Sequence, residues 1–157
     1  MNQLKNPFMR IGGRMLLPQS YRQTGCLVPS FPPILTYVQT DGSFRQMNPK
    51  ARVATIIKTP TETYRYMIPI DADSSTESEW GSVLFGLTLA LEKNCDALAL
   101  ENDNLGLIRA LVLPKPRLRH DYARFYHNQI LTQAKETSWT GARWIPREQN
   151  KADALFR

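Results

Sequence analysis

Hydrophobic and polar positions change period along this chain. Residues 34–40 (Ile-Leu-Thr-Tyr-Val-Gln-Thr), 51–58 and 63–70 are rich in β-branched and aromatic side chains. Asp41 to Pro49 is a turn-rich connection, and Thr59-Pro60-Thr61-Glu62 makes a tighter one. Three such runs in succession predict strands in meander order. From about Ser75 to Lys93 the period becomes helical, with Val83, Leu84, Leu87, Ala90 and Leu91 on one face. Asn94 closes that helix, and residues 96–102 follow as a buried strand. A helix beginning at Leu105 is stopped by Pro114 and Pro116, and a longer one spans about 120–136. Residues 138–145 make a fifth strand, and Asn150 caps a short last helix. A strand–helix–strand unit implies parallel pairing. The expected fold is therefore mixed α/β: a five-stranded mixed sheet, its first three strands antiparallel, flanked by helices.

Residues 1–33 do not share this patterning. Gly12-Gly13, Pro18, Pro29 and Pro32-Pro33 predict an irregular extension, with the proline pair marking the boundary of a domain over 34–157. Charge distinguishes the two parts as well. The net charge is +6, yet residues 1–40 hold Lys5, Arg10, Arg14 and Arg22 and no acid, so the other 16 basic and 14 acidic residues (20 − 4 against 14) contribute only +2. A basic, acid-free arm favours polyanions, or docks a protein partner, or serves only as a solubilising tail. Its prolines and glycines weaken the amphipathic helix that organelle import would use. No apolar run approaches membrane-span length, and the basic start lacks the apolar stretch of a secretory signal. Cys26 and Cys95 lie far apart with no metal-ligand spacing, as ordinary thiols of a reducing, cytoplasmic compartment do.

Four acids stand at the edges of apolar segments: Asp41 after the first strand, Glu79 at the start of the long helix, Asp103 after the 96–102 strand, and Asp153 in the first turn of the last helix. Each has an ordinary explanation. Asp41 before Gly42 is turn chemistry, Asp103 would cap the next helix, and Asp153 would complement a helix dipole. Ser74-x-x-Glu77 and Thr76-x-x-Glu79 both fit a capping box, so spacing leaves the choice between Glu77 and Glu79 open. Glu101 competes with Asp103, because alternation sends both to one sheet face. Brought to one centre, four carboxylates repel unless a divalent cation neutralises them. An all-oxygen donor set suits hard cations such as Mg²⁺. Lys115, Arg117 and Arg119, with Arg124 and His120, form a basic cluster around a proline-broken loop, either a solvated surface or a phosphate contact.

In order and local wording, these segments resemble the ribonuclease H family, in its compact type 1 form. The matching stretches are Thr40-Asp41-Gly42-Ser43, Ser78-Glu79-Trp80 with Gly86-Leu87, Asn102-Asp103-Asn104, and the most specific, Ile145-Pro146-Arg147-Glu148-Gln149-Asn150-Lys151-Ala152-Asp153. They span about residues 34–157. Ser78 stands where relatives commonly have Ala, and Asn104 where many have Ser. The resemblance implies an endonuclease that cuts the RNA strand of RNA–DNA hybrids with two Mg²⁺ ions, for which Mn²⁺ can substitute, leaving 5′-phosphate ends. It selects Asp41, Glu79, Asp103 and Asp153 as catalytic metal ligands. On that reading Gly42, Ser43, Asn104 and Arg147 are expected to contact nucleic acid, and the basic cluster of Lys115, Arg117 and Arg119 to contact phosphates of the uncut strand. Two other readings fit the same scaffold: a resolvase-like, structure-specific DNA nuclease, and a non-catalytic nucleic-acid or ribonucleoprotein-binding module.

Overall fold

The computed structural model describes residues 8–12 and 35–157. The strands are β1 (Met9–Arg10), β2 (Thr36–Phe44), β3 (Ala51–Lys58), β4 (Thr63–Ile70), β5 (Ala97–Asn102) and β6 (Trp139–Trp144). The helices are α1 (Ser75–Glu92), α2 (Leu105–Val112) and α3 (Asp121–Ala134), followed by 3₁₀ turns at Arg147–Gln149 and Lys151–Phe156. Together the strands form one mixed sheet in the order β1-β6-β5-β2-β3-β4. β2, β3 and β4 pair antiparallel as the meander pattern predicts, while β5 runs parallel to both β2 and β6. The crossover through α1 thus carries the chain past β3 and β4 to the free edge of β2, and makes it the parallel partner of β5.

Two expectations need correction. The sheet has six strands, not five, among the described residues. Met9 and Arg10, placed by sequence in the irregular extension, pair antiparallel with Ala142 and Gly141 of β6. Ile11 N–H continues the pairing to the Thr140 carbonyl (3.0 Å). The rest of that extension, with Cys26, lies outside the described residues. Second, Asp41 does not end its strand. β2 continues through Phe44 because Asp41, Gly42, Ser43 and Phe44 pair with Ala54, Val53, Arg52 and Ala51 of β3. This ladder overrides the local turn chemistry of Asp-Gly-Ser. Pairing with β5, however, stops at Gln39 and Glu101. Asp41 therefore stands just beyond the point where β2 and β5 part.

Helix α1 begins as the capping pattern predicts: Ser74 Oγ accepts the Glu77 N–H (3.1 Å). The Glu77 carboxylate reaches back to the Asp73 N–H (2.8 Å), one residue beyond the usual reciprocal bond. The helix ends at Asn94 in the left-handed region (φ 59°), with Cys95 N–H on the Ala90 carbonyl and Asn94 N–H on the Leu91 carbonyl. Val83, Leu87 and Ala90 are buried with Val38, Ile57, Leu98 and Leu100 of the sheet and Leu111 and Ile130 of the other helices. Small residues let α1 lie close to β2. A Cβ on Gly86 would stand 2.6 Å from Thr40 Cγ2, and one on Gly42 would stand 2.4 Å from the Ser78 carbonyl carbon. Ser78, buried at this crossing, satisfies its hydroxyl on the Ser75 carbonyl (2.6 Å). This contact seats the first turn of α1, and with it Glu79, beside β2.

Candidate metal centre

Val38 and Thr40 face Gly86 of α1. Strand alternation sends Gln39 and Asp41 to the opposite face. There Asp41, Glu79, Asp103 and Asp153 line one cavity of about 320 Å³, together with Gly42, Ser43, Arg147 and Arg157. Four elements thus contribute one carboxylate each: β2, the start of α1, the end of β5, and the last 3₁₀ turn. Asp41 is only 6% exposed. Its Oδ1 accepts the Gly42 N–H (3.1 Å).

The charges are unresolved within the protein. Burial first, then the neighbouring Asp103 and Asp153, pushes Asp41 up to about 7, despite the lowering effect of its hydrogen bond with Glu79. Burial and the adjacent Asp41 push Glu79 up to about 9. Glu79 Oε2 is buried with no hydrogen-bond partner. Asp153 differs. Burial acts to raise it, but the Arg157 hydrogen bond and the Arg147 and Arg157 charges together hold it below the ordinary carboxylate range. Arg157 Nη2 lies 2.7 Å from Asp153 Oδ2 and Arg147 Nη2 lies 3.5 Å from Oδ1. Among the described residues no three acidic, histidine or cysteine side chains are grouped so that they could hold an ion as they stand. The residues nonetheless fit hard divalent cations: four oxygen donors face one open space, and a buried carboxylate oxygen there has no partner.

Neighbouring groups hold these carboxylates in place. Asn150, 3% exposed, donates from Nδ2 to Asp103 Oδ1 (2.9 Å) and to the Thr40 carbonyl (2.9 Å). Its Oδ1 accepts the Ala152 N–H (3.2 Å), which starts the turn bearing Asp153. Asn150 is thus the cap expected from sequence, and it also touches Asp103. Trp144 Nε1 donates to the Asp103 carbonyl (2.9 Å). Asn102 donates to the Thr40 carbonyl (2.9 Å) and hydroxyl (3.0 Å), bridging β2 and β5 where their backbone pairing has ended. Glu101, the rival of Asp103, pairs with Arg143, whose Nε donates to Glu101 Oε2 (2.8 Å). Glu101 is an internally paired carboxylate.

Other candidate residues divide into two groups. Gly42, Ser43 and Arg147 belong to the cavity wall. Asn104 caps α2, its Oδ1 accepting the Leu107 N–H (3.0 Å). Lys115, Arg117 and Arg119 are exposed on the α2–α3 connection and do not line the cavity. Trp80 and Trp139 are buried, as is His127, whose ring meets Trp80 edge-on. Arg157 escaped the sequence reading, although its place four residues after Asp153 is a recognisable ion-pair spacing on a helical turn.

The sequence matches the family model described as reverse transcriptase-like over residues 39–155, so the chain belongs to this ribonuclease H-like family. No curated protein matches it significantly in sequence. Among solved structures it is similar to RNase H1 from the halophilic archaeon Halobacterium salinarum NRC-1, with 19% identity, a TM-score of 0.68, and coverage of 78% of this chain and 92% of that one. It is similar to the N-terminal RNase H domain of Rv2228c from Mycobacterium tuberculosis, at 17% identity and a TM-score of 0.66 over 78% and 90% of the chains. It also resembles LC11-RNase H1, a compost metagenome protein solved in complex with RNA/DNA hybrid, at 19% identity and a TM-score of 0.63 over 78% and 92%. Such low identities establish a shared fold.

Proposed function

We propose that this protein is a divalent-metal-dependent endonuclease that hydrolyses the RNA strand of RNA–DNA hybrids. One observation carries the reading: Asp41, Glu79, Asp103 and Asp153 converge from four elements on a single open cavity, with the charges of Asp41 and Glu79 unresolved. The family match and the hybrid-bound relative support the choice of substrate.

Asp41, Glu79, Asp103 and Asp153, which line the cavity together, would hold the ions. Two Mg²⁺ ions, or Mn²⁺ in their place, would when bound supply an activated water and charge neutralisation at the leaving 3′ oxygen. Asn150 and Trp144 fix the Asp103 carboxylate and backbone, so that this ligand need not reorganise during the reaction. Arg147 and Arg157 keep Asp153 ionised and ready as a ligand, and their exposed guanidiniums are available to phosphate. Gly42 and Ser43, on the cavity wall beside Glu79, are placed to read the ribose 2′-hydroxyl that distinguishes RNA from DNA. Lys115, Arg117 and Arg119 contact phosphates of the uncut strand at a distance from the centre. The basic N-terminal arm adds hybrid affinity or docks a partner, in a reducing compartment that contains nucleic acid.

The test is cleavage of labelled RNA–DNA hybrid with Mg²⁺, beside duplex RNA and duplex DNA. Cutting confined to the RNA strand of the hybrid, giving 5′-phosphate ends and lost in Asp41→Asn, is the expected result. Cutting of DNA overturns the substrate assignment, and binding of hybrid without cutting in Mg²⁺ or Mn²⁺ overturns the enzymatic one.

A further inference from the structure

One rung back from the carboxylates lies a second polar row. Gln39 of β2 is registered with Glu101 of β5, and Glu101 with Arg143 of β6. Because strand alternation has a period of two, Gln39 and Glu101 share a face with Asp41 and Asp103. Gln39 uses both ends of its amide. Nε2 donates to Glu101 Oε1 (3.1 Å) and to the Gln149 carbonyl (3.2 Å), while Oε1 accepts the Lys151 N–H (2.9 Å). Gln149 and Lys151 flank Asn150, the residue that bonds to Asp103 and starts the turn bearing Asp153. The far end of the row is anchored too. Arg143 grips Glu101 and lies under the Phe8 ring, 4.1 Å from guanidinium carbon to ring centroid.

We propose that Gln39 is a positioning residue of the metal centre. Its amide clasps the backbone on both sides of Asn150, and so keeps the Asn150 amide on Asp103 and the Asp153 turn at the cavity. This role rests on the metal-site reading of the carboxylates given above. Its physical basis is directional. A glutamine supplies a donor and an acceptor at once, and the 149–151 backbone presents a carbonyl and an N–H to meet them. The clasp spans more than a hundred residues of sequence, so it joins the terminal segment to the strand that carries Asp41. Groups that orient a metal ligand through a hydrogen bond commonly change metal affinity or activity by about 10- to 100-fold when removed. Gln39 acts one bond further out, through Asn150, which places its effect at the lower end.

Three variants of the full chain test the claim. Gln39→Leu removes donor and acceptor. Gln39→Glu keeps the shape but removes the donors and faces Glu101 with a second carboxylate. Lys151→Pro removes only the N–H that Gln39 accepts. Proline is compatible there, because Lys151 is the first residue of a 3₁₀ turn and Asn150 before it is extended (φ −82°, ψ 96°). Lys151→Ala controls for the lost side chain. Mn²⁺ affinity is measured by calorimetry, alongside kcat and KM for hybrid. Gln39→Leu and Lys151→Pro should weaken Mn²⁺ binding and lower kcat by on the order of tenfold each, with KM changed less than about twofold. Gln39→Glu should lose more, and Lys151→Ala should match the wild type. Unchanged Mn²⁺ affinity in folded Gln39→Leu and Lys151→Pro overturns the proposal, as does a loss confined to KM. Should Gln39→Leu fail to fold, Lys151→Pro decides, since it alters no strand residue. A wild type that binds Mn²⁺ through Asp103, as shown by loss in Asp103→Asn, but cuts no hybrid overturns the functional reading alone. In that case Mn²⁺ affinity still tests Gln39. A wild type that binds no Mn²⁺ overturns both.

Discussion

Two neighbouring rungs of one sheet face carry buried acids and treat them in opposite ways. On the first, Gln39, Glu101 and Arg143 form a row in which the carboxylate meets a guanidinium and an amide. On the second, two residues along, Asp41 meets Glu79 and faces Asp103 and Asp153. Glu101 and Asp41 are equally buried, each 6% exposed. Burial therefore does not distinguish the two rungs; the partners do. Glu101 has its counter-charge within the fold, whereas Asp41 and Glu79 have none and are pushed towards neutrality. The rung whose charge the protein does not resolve is where the proposed cations would bind.

The comparison breaks most decisively by removing a charge from each rung. Asp103→Asn should lower hybrid hydrolysis by on the order of a thousandfold, equivalent to about 4 kcal/mol of barrier. It should leave the metal-free melting temperature unchanged or raised, because it relieves repulsion. Activity assays beside thermal melts in chelator check both halves. An Asp103→Asn protein that melts early but cuts normally would assign this acid to the scaffold.

On the paired rung the sign reverses. Arg143→Met leaves Glu101 buried without its cation, since both side chains are nearly enclosed (12% and 9% exposed). The expected cost is about 3 kcal/mol of stability. That corresponds to a fall of roughly 10 °C in melting temperature for a chain of this size. Adding Glu101→Leu should recover more than half of it, because an apolar pair replaces an ion pair at little net cost. If the double variant melts no higher than the single one, the pair does not act as a self-contained unit.

The two rungs were not equally legible in sequence. Visible periods placed the four carboxylates at segment edges, but only the family resemblance chose Glu79 over Glu77 and Asp103 over Glu101. The structure brings the four chosen to one cavity and leaves Glu77 on the Asp73 cap. Most of the sheet was legible from the same periods. The exceptions have physical causes. β1 has two residues and shows no period. β2 outruns its local turn signal because four more rungs with β3 outweigh the preference of Asp-Gly-Ser. The clasp of Gln39 on residues 149 and 151 joins a side chain to distant backbone, and such contacts have no spacing to detect. Arg143 and Glu101 likewise meet only through strand register. Chemistry that depends on residue type was readable, and support that depends on register was not.

The smallest effect concerns pH, and it sharpens the contrast because only the unresolved rung should show it. Asp41 has a native value raised to about 7 by burial, with Asp103 and Asp153 adding to it, and Glu79 one raised to about 9 by burial and by Asp41. In the unfolded chain both return to about 4. A group raised on folding binds its proton more tightly in the native state. Its stabilising contribution is complete below the unfolded value and is lost as pH rises through the native one. Metal-free protein should therefore lose stability between about pH 4 and pH 9, through Asp41 first and Glu79 after it. Relative to an Asp41→Asn/Glu79→Gln double variant, the excess fall in melting temperature should be on the order of 5 °C. Saturating Mg²⁺ should abolish the difference, because a cation that stabilises the ionised carboxylates lowers both values. Arg143→Met serves as the counter-case, since its loss of stability should persist whether or not Mg²⁺ is present. A pH dependence that survives Mg²⁺ would mean that the ion does not bind the carboxylates at Asp41 and Glu79.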